Sequence, residues 1–297
     1  MDISTADIIE RIFLTVFPLV AIVGIGYYYA RQRQVDISSA NAANIDIFIP
    51  ALLFSVLSAE SFDFTAYGYL ALGAFFIVIG SGIILVPICY LLGFNQKTFL
   101  PPVMFSNSGN LGLPLALLAF GQEALPAAVV LFIVENLLHF TVGIFILNRR
   151  TNPLSVLKMP MVLATFAGLA WSYFQLPVYP AIRTAIDMLG QIAIPLMLFT
   201  LGVRMTSVNL THWKVGMWGA LLCPLSGLLI AVLVLQVLPL NTVHIGYLLL
   251  FSVLPPAVLN YMVAERFQQE PQQVAAIVLI GNMASLLVIP VALWFIL

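Results

Sequence analysis

The chain has 297 residues, of which 62% are hydrophobic and only 8% charged, with a formal net charge of −1. Soluble domains average about 25% charged residues, so this composition excludes a soluble protein, and the near-zero charge leaves no basic face for nucleic acid. Cys89 and Cys223 lie singly inside apolar runs without C-x-x-C spacing, so they read as small hydrophobes and no metal centre is predicted.

The N-terminus carries Asp2, Asp7 and Glu10 ahead of its first apolar run and lacks the basic region and cleavage site of a signal peptide, so the first helix is expected to stay. At about 20 apolar residues per crossing, ten spans are predicted at 8–30, 38–58, 66–93, 97–121, 124–147, 158–177, 180–205, 213–238, 243–267 and 272–297. Pro50 in span two and Pro195 in span seven are expected to kink their helices and shape a cavity wall. Span four contains Ser106–Pro114, SNSGNLGLP, where Gly109 and Gly112 lower helix propensity and Pro114 lacks a backbone donor. Span nine contains Leu254–Tyr261, LPPAVLNY, broken by Pro255 and Pro256. Non-helical backbone at membrane depth survives only where protein buries it or where it lines a cavity, so both stretches are expected to line a binding site.

Span five carries Glu135 near its middle, where a charged residue costs about 2.5–3.5 kcal/mol on insertion scales, so it is expected to be neutral, paired or facing water. Asn136 stands beside it, and His139 lies one turn on, on the same face, where carboxyl and imidazole can share a proton. The alternative is a protonated carboxyl hydrogen-bonded to a neighbouring helix.

The two halves repeat. Ile49–Ser55 (IPALLFS) matches Ile194–Thr200 (IPLMLFT) at an offset of 145, Phe105-Ser106 matches Phe251-Ser252 at 146, and Asn136 matches Asn282 at 146. The polar connection 148–158 divides the chain into five-span repeats at 1–150 and 151–297. An odd number of spans makes the second copy enter from the opposite side, so the fold class expected is an all-α membrane protein of ten transmembrane helices in two inverted repeats, with crossed broken helices at spans four and nine. With both termini outside, nine of the eleven Lys and Arg fall in the cytoplasm, leaving Arg11 and Arg183 outside, a positive-inside bias. Glu60, Asp63, Glu123 and Asp187 then fall outside as solvated loop residues.

Ser106, Asn107, Ser108 and Asn110 crowd the first break with donors and acceptors, and a half-helix N-terminus there suits a carboxylate. The alternative is that Asn107 and Asn110 only satisfy broken backbone. Asn260 and Tyr261 follow the second break, with Tyr261 equally readable as an interfacial anchor. No Lys or Arg lies near the middle of any span, which favours a monoanion; a dicarboxylate would want an arginine clamp. The function expected is secondary active transport of a small organic anion by alternating access. A membrane enzyme built on Glu135 and His139 lacks an H-E-x-x-H helix, and no P-loop is present to hold nucleotide. An anion sensor that does not transport is the remaining alternative. No cofactor is expected. Coupling is assigned to a proton through Glu135 and His139, with sodium at Ser106, Ser108, Asn136 and Asn282 or uncoupled transport as alternatives.

The run SNSGNLGLP resembles the N-x-G-x-x-G-L-P crossover of the auxin efflux carrier family, and LPPAVLNYMVAE is similar to that family's second crossover. The resemblance covers the whole chain and implies the fold of bile acid:sodium symporters. It implies a scaffold of spans one, two, six and seven, a transport domain of spans three to five and eight to ten working as an elevator, and a homodimer in the cytoplasmic (inner) membrane. It also implies small organic anions as substrates, such as indole acids, with malate-type dicarboxylates as the alternative, and it carries the family's binding asparagines onto Asn110 and Asn260. Glu265 follows the second crossover beside Arg266, which leaves sodium ligation open.

Overall fold

A computed structural model describes residues 5–33, 35–59, 64–149, 152–207 and 210–297, and among the described residues all regular structure is helical. Glu60, Asp63 and Arg150, given loop positions above, lie outside the described residues, as does Asp2. In chain order the helices are α1 (Thr5–Gln32), α2 (Ser38–Leu57), α3 (Phe64–Leu92), α4 (Gln96–Met104), α5 (Ser108–Phe120), α6 (Gln122–Leu147), α7 (Pro160–Tyr173), α8 (Pro180–Arg204), α9 (Trp213–Leu235), α10 (Thr242–Ser252), α11 (Leu259–Arg266) and α12 (Pro271–Ile296). Among the described residues seven of them, α1, α2, α3, α6, α8, α9 and α12, are long and apolar enough to cross a bilayer. The helix is interrupted at 105–107 between α4 and α5 and at 253–258 between α10 and α11.

These helices expose apolar faces that water would not tolerate. Only 11% of the most apolar window of α1 is buried, against 50% for α12, and α1 turns Phe13, Phe17 and Tyr28 outward. Lipid is the solvent of such a face. Pro18, Pro87, Pro195, Pro224 and Pro290 sit inside helices that continue through them, and Pro50 lies two residues beyond a π turn at Asn44–Phe48.

Two sets of helices pack within themselves. In one, α1 lies on α8, α8 on α2 and α2 on α7; in the other, α9 lies on α12 and α3, and α3 on α6 and α4. Glycines permit the closest approach. A Cβ at Gly26 would strike the Phe199 carbonyl oxygen, and one at Gly202 would strike the Val23 carbonyl oxygen and lie 2.8 Å from the Tyr27 amide nitrogen. Small residues at such crossings let backbones touch, which stands in for the absent hydrophobic drive between membrane helices.

One acid expected to be simply solvated is instead a joint. Asp187 lies within α8, pairs with Arg183 at 3.3 Å and accepts the Ser55 hydroxyl at 2.5 Å, while Arg183 donates to the Ser55 carbonyl at 2.9 Å and to Ser58 Oγ at 3.1 Å. A carboxylate and a guanidinium one helical turn apart match the hydroxyls of Ser55 and Ser58 and the Ser55 carbonyl at the end of α2, and so fasten α2 to α8.

Because the α1–α8 contact is backbone on backbone, Gly202→Leu is expected to lower stability by about 1–3 kcal/mol or more. Gly24→Leu, where nothing lies within 4 Å of an added Cβ, is the control. Thermal unfolding of the two variants in detergent tests the packing, and equal midpoints would count against it.

Candidate functional site

The interruptions at 105–107 and 253–258 meet. Ser106 and Pro256 form an antiparallel bridge, in which the Asn107 amide donates to the Pro255 carbonyl at 2.6 Å and the Ala257 amide donates to the Phe105 carbonyl at 3.0 Å. Side chains complete the accounting of broken backbone that an apolar interior demands. The Ser106 amide donates to the Glu135 carboxylate, and Asn260 Nδ2 donates to the Phe105 and Ala257 carbonyls, each at 3.0 Å. Asn107 Nδ2 donates to Asn282 Oδ1 at 2.9 Å, and Asn282 Nδ2 donates to the Pro256 carbonyl at 2.9 Å. Pro255 and Pro256 bring carbonyls to this joint and no competing N–H, and α12 reaches it because a Cβ at Gly281 would lie 2.5 Å from Pro256 Cδ.

The first break lies upstream of the glycines expected to cause it. Gly109 and Gly112 sit inside a π turn, Ser108–Gly112, that opens α5. Their want of a Cβ serves packing: one at Gly109 would lie 2.8 Å from the Phe132 ring, and one at Gly112 would lie 2.8 Å from Leu254 Cδ1. Pro114 is likewise buried within α5.

Beside the joint lies a cavity of about 130 Å³. It is lined by Ser106–Asn110 at the start of α5, by Glu135, Asn136 and His139 of α6, and by Ala257–Leu259 and Met262 beyond the second break. The opposite wall comes from Asn41, Asn44, Ile45 and Ile49 of α2, Met161 of α7 with the preceding Met159, and Met197, Thr200 and Arg204 of α8. Among the described residues three π turns occur, Asn44–Phe48, Ser108–Gly112 and His139–Gly143, and all three contribute to this lining. Such turns replace regular helix at a cost and gather at functional sites. A larger chamber of about 850 Å³ adjoins it, sharing Asn41, Ile45, Arg204, Val258 and Met262 as a common wall.

The predicted site residues divide between these places. Asn110 faces the small cavity with Ser108 and Gly109. Asn107, Pro255, Pro256 and Asn260 hold the joint together, and Tyr261 lines the large chamber with its hydroxyl donating to Glu265 at 3.2 Å. Asn282 reaches that chamber as well as the joint. Glu135 and His139 both line the small cavity but do not bond to each other: the carboxyl turns to the Ser106 amide, and the imidazole stacks on Phe105 with centroids 4.4 Å apart and planes 7° apart. Asn136 Nδ2 donates back to the Phe132 carbonyl at 2.8 Å. Pro50 and Pro195 line neither cavity; their neighbours Ile49 and Met197 do.

Buried polar atoms without a protein partner line the small cavity. Glu135 Oε2, Ser106 Oγ and Asn44 Oδ1 are buried without a protein partner, and all three residues line it. An apolar void would stay dry, whereas unpaired buried oxygens require water or ligand. Asn41, Asn44, Thr200 and Arg204 escaped the sequence reading. The two asparagines were legible as polar residues three apart in an apolar span, and Thr200 and Arg204 as a pair one turn apart. At the mouth of the larger chamber, hydrogen bonds from Ser38, side chain first, hold the Asp36 carboxyl below the usual carboxylate range, so it stays charged.

A helical body whose outer faces are apolar, with two helix interruptions joined beside a small cavity, defines a multi-span membrane protein with an internal cavity. The chain belongs to the family described as membrane transport protein, whose model matches residues 11–158 and 152–293. The resemblance to auxin efflux carriers is thereby borne out, and the family is one of membrane transport proteins, not one of enzymes. A protein of Rhizobium meliloti (strain 1021) described as a "Putative malonate transporter" is 26% identical over 215 residues, which span 64% of this chain and 65% of that protein, a little under two thirds of each.

Since Asn282 joins both breaks, Asn282→Ala is expected to cost about 1–3 kcal/mol of stability by leaving buried groups unpaired. Asn107→Ala with Asn282→Ala should then cost less than the two single losses added together. A double-mutant cycle read by thermal unfolding checks this, and strict additivity would dissolve the proposed tie.

Proposed function

We propose that this chain is a secondary active transporter that carries a small organic anion by alternating access. The observation that carries the reading is the small cavity where the N-terminal turn of α5, with Asn110 beside it, meets buried polar atoms that have no protein partner. Backbone amides at a helix N-terminus offer partial positive charge to a carboxylate without the cost of burying a full cation. In this reading α4–α5 and α10–α11 are two broken transmembrane helices crossing at their breaks, which makes ten spans in two inverted repeats, 1–150 and 151–297. The membrane transport family supports the class, and the relative described by malonate supports a carboxylate.

The set α1, α2, α7 and α8 serves as scaffold and the remaining helices as transport domain. The cavity wall is divided between the two sets, so an elevator-like movement of one against the other would open and close it. The functional unit is a homodimer in the cytoplasmic (inner) membrane, with both termini outside. Coupling is by a proton on Glu135, whose carboxyl touches the break through one oxygen and faces the cavity without a partner at the other. A proton arriving there loosens the hold on Ser106, linking protonation to the shape of the break.

Asn110→Ala should weaken carboxylate binding about 5-fold to 150-fold, the worth of one buried polar contact, with the protein still folded; wild-type affinity would sink the site. In proteoliposomes, uptake driven by an imposed pH gradient should proceed without sodium and disappear in Glu135→Gln while counterflow of labelled substrate survives. Accumulation that follows sodium and ignores the pH gradient would overturn the coupling, and absence of counterflow in the wild type would make the protein a sensor. For orientation, Asn152→Cys should resist a membrane-impermeant thiol reagent applied to intact cells and Gln175→Cys should react, the native Cys89 and Cys223 being buried.

A further inference from the structure

The unpaired buried oxygens around the small cavity do not all belong to one set of helices. Ser106 stands at the first break and Glu135 on α6, whereas Asn44 opens the π turn Asn44–Phe48 of α2, in the set packed around α8. Asn44 is 4% exposed and Glu135 2%, so neither side chain is open to bulk water.

Counting donors and acceptors separates the three. A hydroxyl donates or accepts, so Ser106 Oγ suits a carboxyl in either protonation state. An amide oxygen only accepts, and so does an ionised carboxylate, which leaves Asn44 Oδ1 and ionised Glu135 Oε2 with nothing to exchange. One proton changes that: a protonated carboxyl carries an O–H donor, and the amide oxygen in the opposite wall is an open acceptor.

We propose that Asn44 is the positioning residue for the coupling proton: it accepts the O–H of protonated Glu135, directly or across one water, and so ties α2 to α6 only while the proton is bound. The inference rests on the proton-coupling reading above and adds the residue that senses the proton and the two helices that it joins.

Glu135 holds the Ser106 amide through Oε1, which leaves Oε2 to carry the proton. The cavity between the walls is about 130 Å³ and holds only a small number of waters. Beyond its π turn, α2 packs directly on α6, so the helices to be tied are already neighbours. The other charged or titratable groups lining the cavity are His139, stacked on Phe105, and Arg204, whose Nη1 donates to Met262 Sδ. Cys223 of α9, within electrostatic reach of Glu135, donates to the Leu254 carbonyl at 3.5 Å. On α3 and α10, which also pack on α6, Tyr67, His244 and Tyr247 gather in an aromatic cluster of their own and do not line the cavity. Asp46, in the same π turn as Asn44, is exposed and does not line it either.

Glu135→Gln supplies the test, because its amide keeps an acceptor for Ser106 and carries a permanent N–H donor in place of the proton. Thermal unfolding of the detergent-solubilised full chain is followed from about pH 5 to about pH 8 for wild type, Asn44→Leu, Glu135→Gln and the double variant. In the wild-type background, Asn44→Leu should lower the unfolding midpoint by roughly 2–10 °C at the acid end and by little or nothing at the alkaline end, where the donor is gone. In the Glu135→Gln background the loss should be present and equal at both ends. Asn44→Ala, which leaves a space where leucine fills one, should repeat the contrast and decides the matter if the leucine variant does not fold. A loss in the wild-type background that does not grow on acidification would overturn the role of Asn44 and leave proton coupling through Glu135 standing. A loss that still varies with pH in Glu135→Gln would also overturn it and would transfer the proton to His139. Uptake that follows sodium and ignores the pH gradient would overturn the coupling reading, and this inference with it, whatever the unfolding contrast.

Discussion

Two interrupted helices paired through their backbones are the constraint on which the rest of this structure depends. An unpaired amide or carbonyl in hydrocarbon costs several kcal/mol, and each interruption frees several at once. The chain meets that cost by making the breaks each other's partners: Asn107 bonds to Pro255 and Ala257 to Phe105. Further groups are taken up by Glu135 and Asn282 from two other helices and by Asn260 just beyond the second break. Polar side chains that look scattered through apolar spans are thus explained by one geometric object.

The same object explains the glycines. Gly227 lets α9 approach the end of α10, where a Cβ would strike the Ser252 carbonyl oxygen, and Gly281 admits α12 against Pro256. Gly109 and Gly112 make room for Phe132 and Leu254. Each glycine gives up helix propensity of roughly 1 kcal/mol and gains a contact that a larger residue would forbid.

Much of the fold was legible in the sequence because hydropathy records where lipid is. The helix limits lie within a few residues of those expected, and the two interruptions fall within spans four and nine as foreseen. The exact break was harder. Gly109 and Gly112 looked like its cause, but a glycine reads the same whether it ends a helix or lets a neighbour close in, and only tertiary contacts separate the two. The i, i+4 spacing of Glu135 and His139 placed both on one cavity and failed to foresee that the carboxyl turns to a distant amide while the imidazole stacks on Phe105. The π turns left no periodic signature at all. Arg204 was passed over because a cation at a helix end is the ordinary snorkelling position; its place in the cavity wall depends on how far the chamber reaches down α8, which no local pattern encodes.

An internal anion site in a membrane protein must hold its guest without stranding a charge when the guest leaves. Helix N-terminal amides and asparagine side chains suit this, because their partial charges remain tolerable when the cavity is empty. A guanidinium at mid-depth would not, since an unpaired cation there is costly on every scale. Arg204 stands instead at the end of α8, in the wall between the small cavity and the large chamber. It stays within reach of water through the chamber, with Nη1 donating to Met262 Sδ. Glu135 follows the complementary logic, with one oxygen committed to the Ser106 amide and the other unpaired beside the cavity. The joint is therefore held mostly by dipoles, with the Glu135 carboxyl bonded to the Ser106 amide and Arg204 kept to the cavity wall, an arrangement that lets the same backbone pairing persist whether the cavity is filled or empty.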